Sequence, residues 1–487
     1  MSQLRAVVDI GSNSVRLVVY EGPARAPAPV YNEKALCGLG AGVAQAGRFD
    51  PAARADAVAT LARFRATLDQ MEVSDIFAFA TAATREASDG PAFIAEAADL
   101  GFDVRILTGE EEARAAAYGV LCAEPSARGL VGDLGGGSLE LVAVEDGGLG
   151  ERTSLPLGPL RLKAEAGGDL ALASKQIAAT LAGVDWLGRF DSPTLYTVGG
   201  AWRAIARVHM AMADYPLAVL HHYRLSREEA LATCDYICDL DAEGLENLPG
   251  APRKRLTALP YAAAALKGVL EASEACASIV SAAGAREGVL YEQLSDADRA
   301  KDPLIEGARD LAARLSPNPA FGEGCVAATA GLFFEETPAE ARVRRATCLL
   351  ADIGALFHPD ARADQAFETA LSAPFLGLDH PERVSIALSL FRRHAGRRAA
   401  PTGFAALRLL GEGESDRAAR LGLALRLLGV LAPKSAAAGE VRLVLENDRL
   451  TIAAPERFRP MFSGETAEKR IGALAEQCAA TSEIVFS

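Results

Sequence analysis

The sequence predicts an α/β protein: two duplicated α/β domains forming a cleft, followed by a mostly helical C-terminal domain. Three observations carry this. A motif recurs 124 residues after its first copy, strand-like and helix-like segments alternate to about residue 294, and strand signals then nearly cease. The expected bounds are 1–125, 126–298 and 303–487. A chain of 487 residues exceeds the ~250–300 at which single cores stop growing, so several domains are required.

The first copy of the motif runs from Ala6 to Val19 and the second from Leu130 to Ala143. In each, an apolar run reaches an aspartate, turns through small residues ending in serine, and continues as an alternating strand. Gly and Asn permit turns that need positive φ, and β-branched residues flank them, so each copy reads as a β-hairpin. Repetition at one domain length indicates a duplicated fold.

After the first hairpin the pattern gives a helix over 51–71, a strand over 75–81, a helix over 89–100, a strand over 103–107 and a helix over 110–123. Residues 124–129, with a proline and a glycine, read as a linker. The second hairpin is followed by a helix over 170–190, a strand over 194–198, a helix over 200–213 and further helices to about 273. A strand over 277–282 and a helix over 285–294 close this half. Strands alternating with helices argue for α/β domains. The polar stretch 295–303 marks a second boundary, and beyond it only a strand-like pair near 440–455 interrupts a helical pattern.

Composition narrows the function classes. Half of the residues are hydrophobic and 6% aromatic, which favours helix packing over β-sandwiches. Charged residues at 23% match a globular norm. No run of about 18 apolar residues is present, so no membrane span is expected, and the N-terminus lacks the pattern of a signal peptide. None of the eight cysteines forms a C-x-x-C pair, and Cys234 and Cys238 read as packing residues; the expectation is a cytoplasmic protein with reduced thiols. A net charge of −14 argues against nucleic acid as a partner. It leaves room for a polyanionic ligand, because remote charges fade over a Debye length of about 8 Å at physiological salt.

The two turns are suited to hold phosphate. Small residues let consecutive backbone N–H groups approach an anion as a concave nest, and Ser12, Ser14 and Ser138 add hydroxyl donors. Asp9 and Asp133 end their strands where carboxylates hold Mg²⁺ directly or through water. One such loop alone reads as an ordinary hairpin turn; two matched copies favour the functional reading. Thr108 is positioned to cap a helix whose first turn carries Glu110, Glu111 and Glu112. Capping and the helix dipole account for two of these glutamates, leaving one as a general base for water. Arg85 follows a strand and is a candidate for a forked phosphate contact. Gly199 and Gly200, between a strand and a helix, allow a phosphate or nucleotide to approach a helix N-terminus. No P-loop, H-E-x-x-H, G-x-S-x-G or post-strand G-x-G-x-x-G is present, and His221-His222 reads as structural.

Taken together, Asp9-Ile10-Gly11-Ser12-Asn13-Ser14, Thr84-Arg85-Glu86, Gly109 to Arg114, Asp133-Leu134-Gly135-Gly136-Gly137-Ser138, Val198-Gly199-Gly200 and Ser281 to Gly288 resemble the exopolyphosphatase and guanosine pentaphosphate phosphatase family over about residues 4–295. The resemblance implies an actin-like, RNase H-like superfold shared with Hsp70 and sugar kinases. It selects Glu112, immediately before Ala113-Arg114, as the base, and adds Glu140 to Asp133 and Asp9 as active-site and Mg²⁺ carboxylates. It makes Ser12, Asn13, Arg85, Gly135, Gly136, Gly137 and Ser138 phosphate contacts. It also implies Mg²⁺ dependence, a homodimer, and a C-terminal region like an HD-type phosphohydrolase domain. There Ala351 precedes Asp352 where such a domain has a metal-binding histidine, so a scaffold is expected. Arg383, Arg392, Arg393, His394, Arg397 and Arg398 form a basic run that either guides a polyanion or is a solvated helix face.

The expected activity is therefore exopolyphosphatase, with inorganic polyphosphate as substrate. Alternatives are hydrolysis of guanosine pentaphosphate and a regulator that binds guanosine tetra- or pentaphosphate without turnover. A kinase-like phosphotransferase of the same superfold is a third reading, identified by ATP-dependent phosphorylation of a small substrate.

Overall fold

The computed structural model of the chain describes residues 4–398, 400, 404–433 and 435–487; Met1, Ser2 and Gln3, which entered the signal-peptide reading, lie outside these. The chain divides into two compact units, Met1–Ala300 and Lys301–Ser487.

The first unit contains two mixed sheets that share one five-strand order, a duplicated α/β architecture. In the first, β1 (Arg5–Ile10), β2 (Val15–Glu21) and β3 (Ala28–Ala35) form an antiparallel meander, and β4 (Asp75–Ala80) and β5 (Val104–Ile106) extend it in parallel from β1. The order is β3-β2-β1-β4-β5. In the second, β6 (Gly129–Leu134), β7 (Leu139–Glu145) and β8 (Gly148–Leu155) repeat the meander. There β9 (Thr194–Val198) pairs in parallel with β6, β11 (Ala277–Val280) with β9, and β10 (Arg224–Ser226) adds an antiparallel edge. The register repeats too: Asp9 lies opposite Arg16, and Asp133 opposite Glu140.

Helices cover these sheets by burying one apolar stripe each. Helix Pro51–Gln70 starts at Asp50, whose carboxylate accepts from the Ala52 and Ala53 N–H groups, and buries Ala57, Leu61, Phe64 and Leu68 on one face. Full burial of each such leucine or phenylalanine stabilises by about 1.5–3 kcal/mol. Helix Gly109–Ala123 packs against Ala285–Glu292, each following the last core strand of its half, so these two helices join the halves. Tyr20 on β2 donates to Glu287 Oε1 at 2.5 Å across the same joint.

Several elements differ from the sequence reading. Strands β3 and β8 complete the meanders, although neither is apolar enough to stand out: β3, Ala28–Ala35, contains Pro29, Asn32, Glu33 and Lys34. The helix expected over 170–190 is α-helical only over Leu170–Leu181, with a short 3-10 turn at Leu187–Arg189. Gly183 and Asp185 follow the helix, and the chain turns there to reach β9.

The second unit is mostly helical, with a small sheet of β12 (Arg442–Glu446), β13 (Arg449–Ala454) and β14 (Thr481–Phe486) in that order. The expected strand pair is β12–β13; β14 adds a parallel edge. The basic run does not present a uniform charged face. Arg383 is 2% exposed and donates to the carbonyls of Ala370, Leu371, Ala373 and Phe375, tying down a loop. Arg393 pairs with Asp352 at 3.0 Å, Arg398 with Asp364 at 3.3 Å, and Arg397 with Glu476. The charges that suggested an open track are thus largely spent on the unit's own carbonyls and carboxylates. No helix among the described residues is long and apolar enough to cross a membrane.

Candidate active site

The two repeated turns close in the same way. Gly11 N–H donates to Ser14 C=O at 3.0 Å, and Gly135 N–H donates to Ser138 C=O at 3.0 Å. Each turn is braced by the chain that follows its meander. In the first half Gly40 N–H donates to Ser12 C=O at 2.7 Å and Gly38 N–H to Asn13 C=O at 3.2 Å. In the second half Leu160 N–H donates to Gly136 C=O at 3.0 Å. Beside it Gly158 lies flat on the turn: a Cβ there would stand 2.3 Å from Gly137 C, 2.4 Å from Gly137 N and 2.4 Å from Ser138 N. Only a residue without Cβ allows so close an approach of two backbones.

Both turns face one cavity of about 250 Å³. Asp9, Ser12, Asn13, Ser14, Glu112, Asp133, Gly135, Gly136, Gly137, Ser138, Gly199 and Gly200 all line it. Gly199 has φ 100°, and a Cβ there would meet Leu134 O at 2.5 Å, so the glycine pair lets the helix Gly200–Met212 begin against the end of β6. Arg85 and Glu140 stand behind this wall. Arg85 Nη1 donates to Leu107 O at 2.6 Å and lies 3.8 Å from Glu112 Oε2. Glu140 is 1% exposed and accepts from Ser154 Oγ at 2.8 Å.

The three glutamates of helix Gly109–Ala123 separate clearly. Glu111 closes a capping box with Thr108 and also accepts from Arg105. Glu110 is exposed and faces Arg152 at 3.8 Å. Glu112 turns inward, its side chain 12% exposed, with Oε2 buried and accepting no hydrogen bond.

Electrostatics sets this corner apart. Burial, then Glu140 and Asp133, hold the Glu112 carboxyl well above the usual range, with Arg85 partly opposing. Burial raises Asp133 to about 6, with Arg203 opposing and Asp9 adding to the rise. Burial and Asp133 raise Glu140 to about 7 against the Ser138 and Ser154 hydrogen bonds. Asp9 is different: its Oδ2 accepts from Arg286 Nη1 at 2.7 Å. Such crowding of titratable groups in a cleft marks a candidate site.

Residues fit a divalent cation in one specific respect. Glu112 Oε2 and Glu140 Oε2 are buried oxygens with no hydrogen-bond partner, beside Asp133 in a field of like charge. Among the described residues no three His, Cys, Asp or Glu side chains form a closed ligand cage.

Sequence reasoning did not find Gly158, Ser154, Arg203 or Arg286. Arg286 lies within the motif Ser281 to Gly288, but nothing in its spacing shows that helix Ala285–Glu292 brings it to Asp9. His222 Nε2 contacts Glu124 Oε2 at 3.1 Å, and His221 Nδ1 accepts from the Ala282 N–H at 3.2 Å, both structural uses.

Comparison with known proteins adds independent findings. A family model described as Ppx/GppA phosphatase family matches residues 18–297, and one described as Exopolyphosphatase, C-terminal, matches residues 321–485. A guanosine-5'-triphosphate,3'-diphosphate pyrophosphatase of Vibrio campbellii is 28% identical over 351 residues, covering 70% of this chain and 69% of its own length. Retrograde regulation protein 2 of Saccharomyces cerevisiae is 26% identical over 371 residues, covering 69% of this chain and 61% of its own. Among solved structures, an exopolyphosphatase from Cytophaga hutchinsonii matches with a TM-score of 0.55 at 24% identity, covering 59% of this chain and 97% of its own. The Aquifex aeolicus member of the Ppx/GppA family matches with a TM-score of 0.52 at 24% identity, covering 61% of this chain and 100% of its own. At these identities the structural matches speak for the fold.

Proposed function

Because this chain belongs to the Ppx/GppA phosphatase family, we propose that it is an exopolyphosphatase, releasing the terminal phosphate of inorganic polyphosphate by in-line attack of water. One observation carries the reading: two identically closed amide turns share one cavity with Glu112, whose Oε2 is buried and accepts no hydrogen bond. The turns 11–14 and 135–138 hold the terminal phosphoryl group with N–H and serine donors, and Arg85 adds positive charge behind Glu112. Glu112 orients the water and takes its proton as the new P–O bond forms and the bridging P–O bond breaks. Burial beside Glu140 and Asp133 raises its proton affinity, which favours proton transfer from the water. Asp133, Glu140 and the free oxygen of Asp9 are the carboxylates assigned to Mg²⁺, which when bound neutralises charge developing on the phosphoryl oxygens.

Polyphosphate is favoured by the lining itself. Arg16, Lys34, Arg203, Lys254, Arg255 and Arg286 face the cavity, whereas Phe79 is its one aromatic among the described residues. Cations suit a chain of phosphates, and a guanine base gains little from such a wall. The second reading, hydrolysis of guanosine pentaphosphate, is favoured by the name of the Vibrio relative. Phosphate release measured from tripolyphosphate, long polyphosphate and guanosine pentaphosphate separates them. The expected order places polyphosphate first, with activity abolished by EDTA and restored by Mg²⁺; faster release from the guanosine compound would reverse the assignment. A homodimer belongs to the same reading by family resemblance, and light scattering in solution tests it.

A further inference from the structure

We propose that the cavity contains a second phosphate subsite, formed by Lys34, Arg203 and Arg255 with Arg16, which holds the phosphates next to the terminal one and sets the chain length the site accepts. This rests on the phosphoanhydride reading above and adds the residues that recognise the rest of the substrate.

Four separate elements supply these cations. Arg16 is on β2, Lys34 on β3, Arg203 on helix Gly200–Met212, and Arg255 on the 3-10 turn Arg253–Ala258. All four line the same cavity as the two turns. Arg255 is pressed against the start of helix Gly200–Met212: a Cβ on Gly200 would lie 2.2 Å from its Nη2. Guanidinium and helix N-terminus therefore add their positive potential at one point.

A structural role would give these groups carboxylate partners. Among the described residues, Lys34, Arg203 and Arg255 form no ion pair; Arg203 Nη1 donates to the Ala282 carbonyl at 3.3 Å, and Arg16 Nε to Asn32 Oδ1 at 2.9 Å. The cations instead oppose one another. Desolvation in the cleft, then Arg255, Arg16 and Arg203, lower the Lys34 ammonium to about 8, with Asp9 opposing. Desolvation, Arg286 and Arg16 lower Arg203 to about 10, with Asp133 and Glu287 opposing. Converging cations raise the energy of the ligand-free cleft, and a bound polyanion relieves it. The terminal phosphate occupies the turns, so the cations are left for the phosphates that follow.

Calorimetry on the full chain carrying Glu112→Gln, which prevents turnover during titration, tests this with tripolyphosphate and orthophosphate in Mg²⁺. Lys34→Ala and Arg255→Ala should each weaken tripolyphosphate binding about tenfold or more, the effect of a lost charged hydrogen bond, with orthophosphate affinity within about twofold. Lys34→Arg and Arg255→Lys should retain most of the tripolyphosphate affinity, showing that charge rather than folding is at issue. Because Lys34 loses its proton as pH rises through about 8, tripolyphosphate affinity should fall more steeply above pH 8 in the parent than in Lys34→Arg. Unchanged tripolyphosphate binding in both alanine variants, or equal loss of orthophosphate, would overturn the subsite and leave the phosphoanhydride reading standing. A parent that binds orthophosphate but not tripolyphosphate would overturn both.

Discussion

Glu112→Gln is expected to lose about 10²–10⁴-fold in turnover, the usual cost of removing a general base, with its fold intact. Gln keeps the shape and hydrogen-bonding reach of the side chain and removes only the charge that accepts the proton. Thermal stability should move the other way. Burial beside Glu140 and Asp133 raises the folded-state pKa of Glu112, so its ionised form is disfavoured in the folded protein. Below the unfolded-state pKa of about 4.3 the group is protonated in both states and contributes nothing. As pH rises above that value the unfolded state ionises while burial keeps the native carboxyl protonated, so the wild type loses stability. The Tm advantage of Glu112→Gln over wild type should therefore be small near pH 4 and wider at pH 8, measured by calorimetric scans without added metal. A folded Glu112→Gln protein with near wild-type turnover would move the base elsewhere.

Gly158→Ala should be nearly as damaging, although residue 158 offers no chemical group. Its backbone, φ −66° and ψ 140°, suits alanine, so the change introduces no backbone strain. Its new methyl must displace the Gly137–Ser138 amides, which it would meet at 2.3–2.4 Å. A shift of about 1 Å in a phosphate-holding group costs on the order of 10²-fold in rate. Gly188→Ala provides the control, since a Cβ there meets nothing within 4 Å. Steady-state rates on tripolyphosphate, with Tm measured alongside, check both variants. Equal activity of Gly158→Ala and Gly188→Ala would show that the 135–138 turn does not position the substrate.

These two residues illustrate what a sequence discloses. The repeated turns were legible because their chemistry is local: an aspartate, small residues and a serine at fixed spacing fold alike wherever they occur. Glu112 was partly legible, since capping and the helix dipole account for two of the three glutamates and family resemblance pointed to the one before Ala113; the structure puts Glu111 in the capping box with Thr108, and the helix phase set there turns Glu112 inward. Gly158 was not, because a Gly-Pro pair reads as an ordinary turn until the backbone it presses against is known. Arg286 reaches Asp9, and the charge of Arg203 acts on Asp133, from distant parts of the sequence, through packing that no spacing records. Strands β3 and β8 escaped notice for a related reason: as outer strands of their meanders they are half-exposed and carry polar residues. The basic run on helix His380–Ala395 misled in the opposite direction, since Arg383 spends its charge on buried carbonyls.

A crystal structure of Glu112→Gln with tripolyphosphate and Mg²⁺ tests the central claim most directly. The account predicts the terminal phosphate between the 11–14 and 135–138 turns, accepting amide N–H groups from both. The substituted side chain at position 112 should face the far side of that phosphate, with the next phosphate toward Lys34 and Arg255. A chain bound with its terminal phosphate in contact with only one turn, or with residue 112 on the leaving-group side, would contradict it.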